Sequence, residues 1–136
     1  MVLPHILTIA AILLLTGCST ILKKYDSPSG EIRVNEGYCT VQVFYLFAHR
    51  GYMNTLRKNK IAYIGHYTIL RGEIPAGTRL EVTSIKKYRD GSVKVIAVIM
   101  NGEYISGEVQ ISNIIERDKT DKDLYVHSLL PCDHEN

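Results

Sequence analysis

Short apolar runs of strand length, separated by turn-forming residues, recur along the chain, with no sustained helical periodicity. The run Tyr38–Ala48, YCTVQVFYLFA, is rich in aromatic and β-branched residues, and alternation sets Cys39, Val41, Val43, Tyr45 and Phe47 on one face. It predicts a single strand, although its second half, Phe44–Arg50, also fits the start of a helix that Gly51 would end. Ile61–Leu70 is a second apolar run of strand length, closed by Gly72 and by the turn formers Pro75–Gly77. Thr78–Ile85, Ser92–Met100, Glu103–Ser106 and Glu108–Ile111 are further short strand-like segments. Asp90-Gly91 and Asn101-Gly102 each sit between strand-forming runs, and such pairs reach the positive φ angles of a type I′ hairpin at low cost. Val93–Met100 between them is almost wholly apolar, which predicts a central strand covered on both faces. Leu124–Leu130 predicts a closing strand. Strands and turns recurring at about ten-residue intervals predict a mainly β fold, a small barrel or sandwich, rather than a helical or βαβ one.

The amino-terminal residues follow a different pattern. The apolar run Ile6–Thr16 is about half the ~20 residues that a spanning helix needs, and it ends in small residues, which is the layout of a secretory signal. The four residues that close it, Leu15-Thr16-Gly17-Cys18, resemble the lipobox of bacterial lipoproteins. That resemblance implies diacylglyceryl transfer to the Cys18 sulfur, cleavage before Cys18 and acylation of the new amino terminus. Ser19, a residue other than Asp, then implies export to the outer membrane where the cell has one. The alternative is a signal anchor carrying an incidental cysteine. Ile21–Gly30 mixes Lys23, Lys24, Asp26 and Pro28 without a periodic apolar face, and reads as a tether. The expected organisation is a lipoprotein signal peptide at 1–17, a lipid-anchored tether at 18–30 and a single β-rich domain at 31–136.

Composition narrows the function classes. An apolar fraction of 46% with 22% charged residues fits a globular domain, and a formal charge of +2 is too small to argue for nucleic acid. With Cys18 assigned to lipid, Cys39 and Cys132 remain as an even pair in a chain bound for an oxidising compartment, which favours a disulfide. The alternative is two free thiols, with Cys39 packed as a small apolar side chain. Cys132, Asp133 and His134 carry metal-ligand chemistry, but three adjacent residues cannot readily surround one ion, so no metal and no cofactor are expected.

Within Gly72–Ile115, IPAGTRLEV, the Asp-Gly pair, the apolar strand, NGEYISGEV and ISNII resemble the bacterial SH3-like barrel. Gly77, Leu80 and Val82 match its first strand motif, and Gly107 and Val109 its last. Glu108 stands where that family has an aromatic, so no ligand-binding residue is carried over. No nucleophile–base signature or phosphate-cradling glycine loop is present, and His49, His66, His127 and His134 are scattered, so the chain is not expected to be an enzyme. Pairing with Cys132 would also disable Cys39 as a nucleophile.

HRGYMNTLRKNK at 49–60 is the candidate surface, a basic segment read as a connector too long for a tight hairpin. Arg50, Tyr52, Arg57, Lys58 and Lys60 could meet anionic lipid, cell-wall carboxylates or an acidic partner; the alternative is a solvated connector. The sequence thus describes a lipid-anchored envelope protein, facing the periplasm from the outer membrane in a Gram-negative cell. Its expected role is a non-catalytic binding module for a peptidoglycan component or protein partner. Two alternatives stay open: a structural subunit of an envelope assembly such as a secretion or conjugation apparatus, and a lipoprotein inhibitor or immunity factor.

Overall fold

The computed structural model describes residues 19–28, 30–60, 68–115 and 128–132. The signal segment with Cys18, residues 61–67 of the second apolar run, residues 124–127 of the closing strand, and His66, His127 and His134 lie outside the described residues. The chain is mainly β. Its strands are β1 (Ser19–Leu22), β2 (Lys24–Ser27), β3 (Gly30–Arg33), β4 (Gly37–Thr40), β5 (Phe44–His49), β6 (Tyr52–Arg57), β7 (Thr68–Ile74), β8 (Arg79–Tyr88), β9 (Val93–Ile99), β10 (Glu108–Gln110) and β11 (Leu129–Pro131), with a short helix α1 (Ser112–Ile115) between the last two. One sheet runs β11-β4-β8-β9-β10-β6-β5-β7, β1 adds to β8, and β2–β3 forms a separate hairpin.

The β8–β9 hairpin is the longest pairing and shows how the sequence sets the core. Leu80, Val82 and Ile85 of β8 and Val95, Ala97 and Ile99 of β9 are at most 1% exposed. Val82 and Ile85 are an odd step apart, which in a regular strand would send them to opposite faces. A register shift between Val82 and Ser84 inserts one residue, and both side chains point inward. Ile96 and Val98 on the other face of β9 are only half-buried, so that central strand is fully covered on one face alone.

The turn at Asp90-Gly91 is a hairpin turn, but not of type I′. Gly91 alone has positive φ (89°), and its N–H donates to the Tyr88 carbonyl while the Tyr88 N–H donates to the Ser92 carbonyl. This is the three-residue loop with glycine in the left-handed position. Asp90 Oδ1 accepts from the Ser92 N–H (2.9 Å) and hydroxyl (2.6 Å), and these bonds hold its carboxyl below the usual range. Asn101-Gly102 opens a wider loop in which Glu103–Ser106 forms turns rather than the predicted strand.

Three other expectations are corrected. Tyr38–Ala48 is two strands, because the chain leaves β8 at Val41–Val43 to reach β6 and β7 across the sheet. The buried face is the opposite of the predicted one on both strands: Tyr38, Thr40, Phe44 and Leu46 are buried, Cys39 and Tyr45 are half-buried and Val43 is exposed, and of the predicted face Phe47 alone is buried. Residues 49–60 are not a long connector: His49 pairs with Tyr52 across a tight turn at Arg50-Gly51, with Gly51 at φ 76°, and β6 follows. Residues 19–27 of the segment read as a tether carry strands. Ser19–Leu22 pairs with Ile85–Tyr88, and Lys24–Ser27 pairs with Gly30–Arg33, so the ordered domain reaches back to Ser19.

The sheet does not close, since its end strands β11 and β7 do not pair with each other. It nevertheless curves around one core that joins Phe44, Leu46, Leu56 and Ile74 from one end to Leu80, Val95 and Leu129 from the other. α1 caps that core with Ile114 and Ile115, and the Ser112 hydroxyl accepts from the Val95 N–H (3.0 Å). At the β7–β8 corner the buried Thr40 hydroxyl donates to the Pro75 carbonyl (2.9 Å) and accepts from the Thr78 N–H (3.0 Å), which ties the turn to β4. Such buried backbone groups would each cost about 1–3 kcal/mol if left unpaired.

Candidate binding groove

A groove of about 310 Å³ lies where the β9–β10 loop overhangs the β5–β6–β7 end of the sheet. Its floor is apolar, made by Leu46, Ile99 and Val109, the last residues of the core before solvent. Its polar lining comes from Asn54 and Arg71, while Tyr104 and Ile105 of the loop form a wall. Asn54 reaches this position because β6 pairs in parallel with β10, setting Asn54 opposite Val109 on the core-facing series. Arg71 does so through a bulge: Leu46 pairs with Gly72 and Phe47 with Leu70, which leaves Arg71 as the extra residue of β7.

The wall is fastened by one long-range contact. The Tyr104 hydroxyl donates to the Arg71 carbonyl (2.9 Å), and its ring crosses Gly72 so closely that a β-carbon there would overlap the phenol. A glycine inside a strand is explained when another group must approach the backbone, as here. At the rim, Ser106 holds a left-handed φ of 70° while its N–H donates to the Ile99 carbonyl (2.8 Å). A non-glycine residue there costs on the order of 1 kcal/mol, and such strain collects at binding sites.

The sequence-predicted surface is divided between two places. Tyr52 and Arg57 are the ends of β6, about 17 Å apart at ~3.3 Å per residue. Arg50 and Tyr52, the latter 82% exposed, lie at one end; Arg57, Lys58 and Lys60 lie at the other. Arg57 is engaged in packing, its guanidinium 5.9 Å from the centre of the buried Phe47 ring and its Nε buried with no hydrogen-bond partner among the described residues. Tyr52 borders a second, shallower pocket of about 240 Å³ with Met53, Lys94 and Gln110.

His49 forms the back of that pocket. Its Nε2 meets the Thr55 hydroxyl (2.8 Å) and its Nδ1 the Thr68 hydroxyl (3.1 Å), both threonines being buried. Desolvation, and then the Arg57 charge, lower the His49 pKa. A histidine with a depressed folded-state pKa takes its proton more readily when unfolded, so it opposes folding as pH falls from the ordinary value near 6.5 through the folded value. The melting temperature should therefore drop between pH 7 and 5, with a shallower drop in His49→Gln; identical pH profiles would contradict the assignment.

Cys39 and Cys132 are brought together as a disulfide-compatible pair, with Cα atoms 4.9 Å apart, because β11 pairs with β4 and sets Leu130 opposite Cys39. Among the described residues, no three His, Cys, Asp or Glu side chains gather as metal ligands, and no helix is long and apolar enough to cross a membrane. Comparison with protein-family models, curated proteins and solved structures finds no match.

Sequence reasoning missed Asn54, Arg71 and Tyr104. One signal for this site was present: Gly72, flanked by Arg71 and Glu73 inside a strand-forming run, marks close backbone approach.

Proposed function

We propose that this chain is a lipid-anchored envelope protein, acylated at Cys18, whose β-domain is a non-catalytic binding module. The observation that carries the reading is the groove beneath Tyr104. An apolar floor bordered by one cation and one amide, with no acidic residue among the described residues of the lining, suits an extended ligand bearing apolar groups and a carboxylate. Cell-wall peptides and the segments of a protein partner share that chemistry. Its volume is at the small end of ligand pockets, fit for a few residues rather than a folded domain.

The lipobox at Leu15–Cys18 supports the location, and the matches at Gly77, Leu80, Val82, Gly107 and Val109 support an SH3-like domain. We take peptidoglycan as the first ligand to test. Purified protein should co-sediment with peptidoglycan sacculi, and Asn54→Ala with Arg71→Ala should weaken the affinity about tenfold, as expected when two polar contacts of about 0.7 kcal/mol each are lost. Sedimentation absent in the wild type, or unchanged in the variant, would refute this role for the groove. Edge pairing supports the second reading, a subunit of an envelope assembly: β7 pairs only with β5 among the described residues, and its Ile69 is exposed. A large complex in mild detergent would favour that reading, and a monomer the binding module.

A further inference from the structure

We infer that the β8–β9 end of the domain is a docking face for anionic phospholipid headgroups in the leaflet that holds the anchor, an inference that rests on the acylation of Cys18 proposed above. Ser19, the residue after Cys18, is already paired with Tyr88, and Thr20 with Lys87. Consecutive Cα atoms are about 3.8 Å apart, so the acylated residue attaches directly beside the β8–β9 turn with almost no slack. The surface next to the anchor is therefore set by the sheet.

That surface is basic. Lys86 near the end of β8 and Lys94 near the start of β9 stand on the face opposite the core residues Ile85 and Val95, Lys87 stands on the core side beside Val93, and Arg89 lies in the turn. Ile21, Lys86 and Lys94 are register partners across β1, β8 and β9, and cross-strand partners share a face. Two lysines directly opposite each other repel, and an anion on that face relieves the repulsion. None of Lys86, Lys87, Arg89 and Lys94 is ion-paired among the described residues. Asp90 is the acid of the turn, and it is held by Ser92.

Among the described residues, the acids of β8 and β10 lie toward the opposite end. Glu81 and Glu108 both pair with Val98, four positions along β9 from Lys94, or about 13 Å at ~3.3 Å per residue. That exceeds the ~8–10 Å over which exposed charges act at moderate salt. Ile21, 78% exposed, supplies an apolar side chain beside the lysines, and the half-buried Lys86 and Lys94 can lay their stems on the sheet while their ammonium groups reach phosphate. A covalent anchor, a cationic row and one exposed isoleucine on the same end fit a phospholipid surface better than they fit a soluble partner.

Protein purified from membranes is to be reconstituted into phosphatidylcholine vesicles with and without phosphatidylglycerol, and lysine acetylation rates mapped by mass spectrometry. Each cation near an anionic surface favours the docked form by about fivefold, so Lys86 and Lys94 should react at least that much more slowly on phosphatidylglycerol. Lys58 and Lys60 should not change, high salt should abolish the difference, and Lys86→Gln should reduce it at Lys94. Equal rates on both vesicles overturn the docking face. Intact mass of the same sample reads the anchor separately: acylated Cys18 with equal lysine rates removes the docking face and leaves the anchor. If Cys18 is unmodified, the anchoring reading fails, and flotation with phosphatidylglycerol vesicles but not phosphatidylcholine vesicles still supports the lipid surface, whereas flotation with neither overturns it.

Discussion

Replacing Cys39 and Cys132 together with serine is expected to lower the unfolding free energy by about 4–5 kcal/mol, the chain-entropy value for a loop of this size. The two residues are 93 positions apart, so the bridge constrains most of the unfolded domain. The folded state has a second reason to depend on it. β11 is a three-residue strand whose pairing is with β4, and of its side chains only Leu129 is buried. Without the bridge, that strand should lose hydrogen-exchange protection before the rest of the sheet. Chemical denaturation of the wild type with reductant should reproduce the curve of the double variant; matching curves with and without reductant would contradict a covalent pair.

Gly72→Ala is the second large effect. A β-carbon at Gly72 overlaps the Tyr104 phenol, so the Tyr104 ring must swing off β7, or else β7 shifts at its bulge or the β9–β10 loop lifts away. Overpacking of this kind costs about 1–3 kcal/mol, and the Tyr104–Arg71 hydrogen bond would add about 1 kcal/mol when it is lost. The groove should lose its wall in the same step, so sacculus binding should fall along with stability. Tyr104→Ala removes the obstruction, and Gly72→Ala introduced into Tyr104→Ala should then be close to neutral. If the two substitutions add fully in thermal denaturation, the ring does not lie where it is described.

The mainly β character of the chain and its longest hairpin were legible for local reasons. Thr78–Ile85 alternates, Val93–Met100 is a short apolar run rich in β-branched residues, and Asp90-Gly91 supplies a residue at positive φ. What the alternation hid is the extra residue near Thr83, because a bulge changes the face without changing composition. The break at Val41–Val43 was illegible because that apolar run contains no glycine or proline, and only the need to cross the sheet ends β4 there. The cations of residues 49–60 suggested a solvated loop, yet Gly51 suffices for a tight turn and Thr55 and Leu56 are buried. The polar residues of 19–27 belong to short strands at the rim of the fold, where one face stays in water and alternation is weak. The groove could be read only through the fold, since Tyr104 and Arg71 are 33 positions apart and meet across the sheet.

Intact-mass spectrometry of the protein recovered from whole-cell membranes tests the central claim most directly. The account predicts a chain that begins at Cys18 and carries two or three acyl groups. A full-length, unmodified polypeptide in the soluble fraction would contradict it.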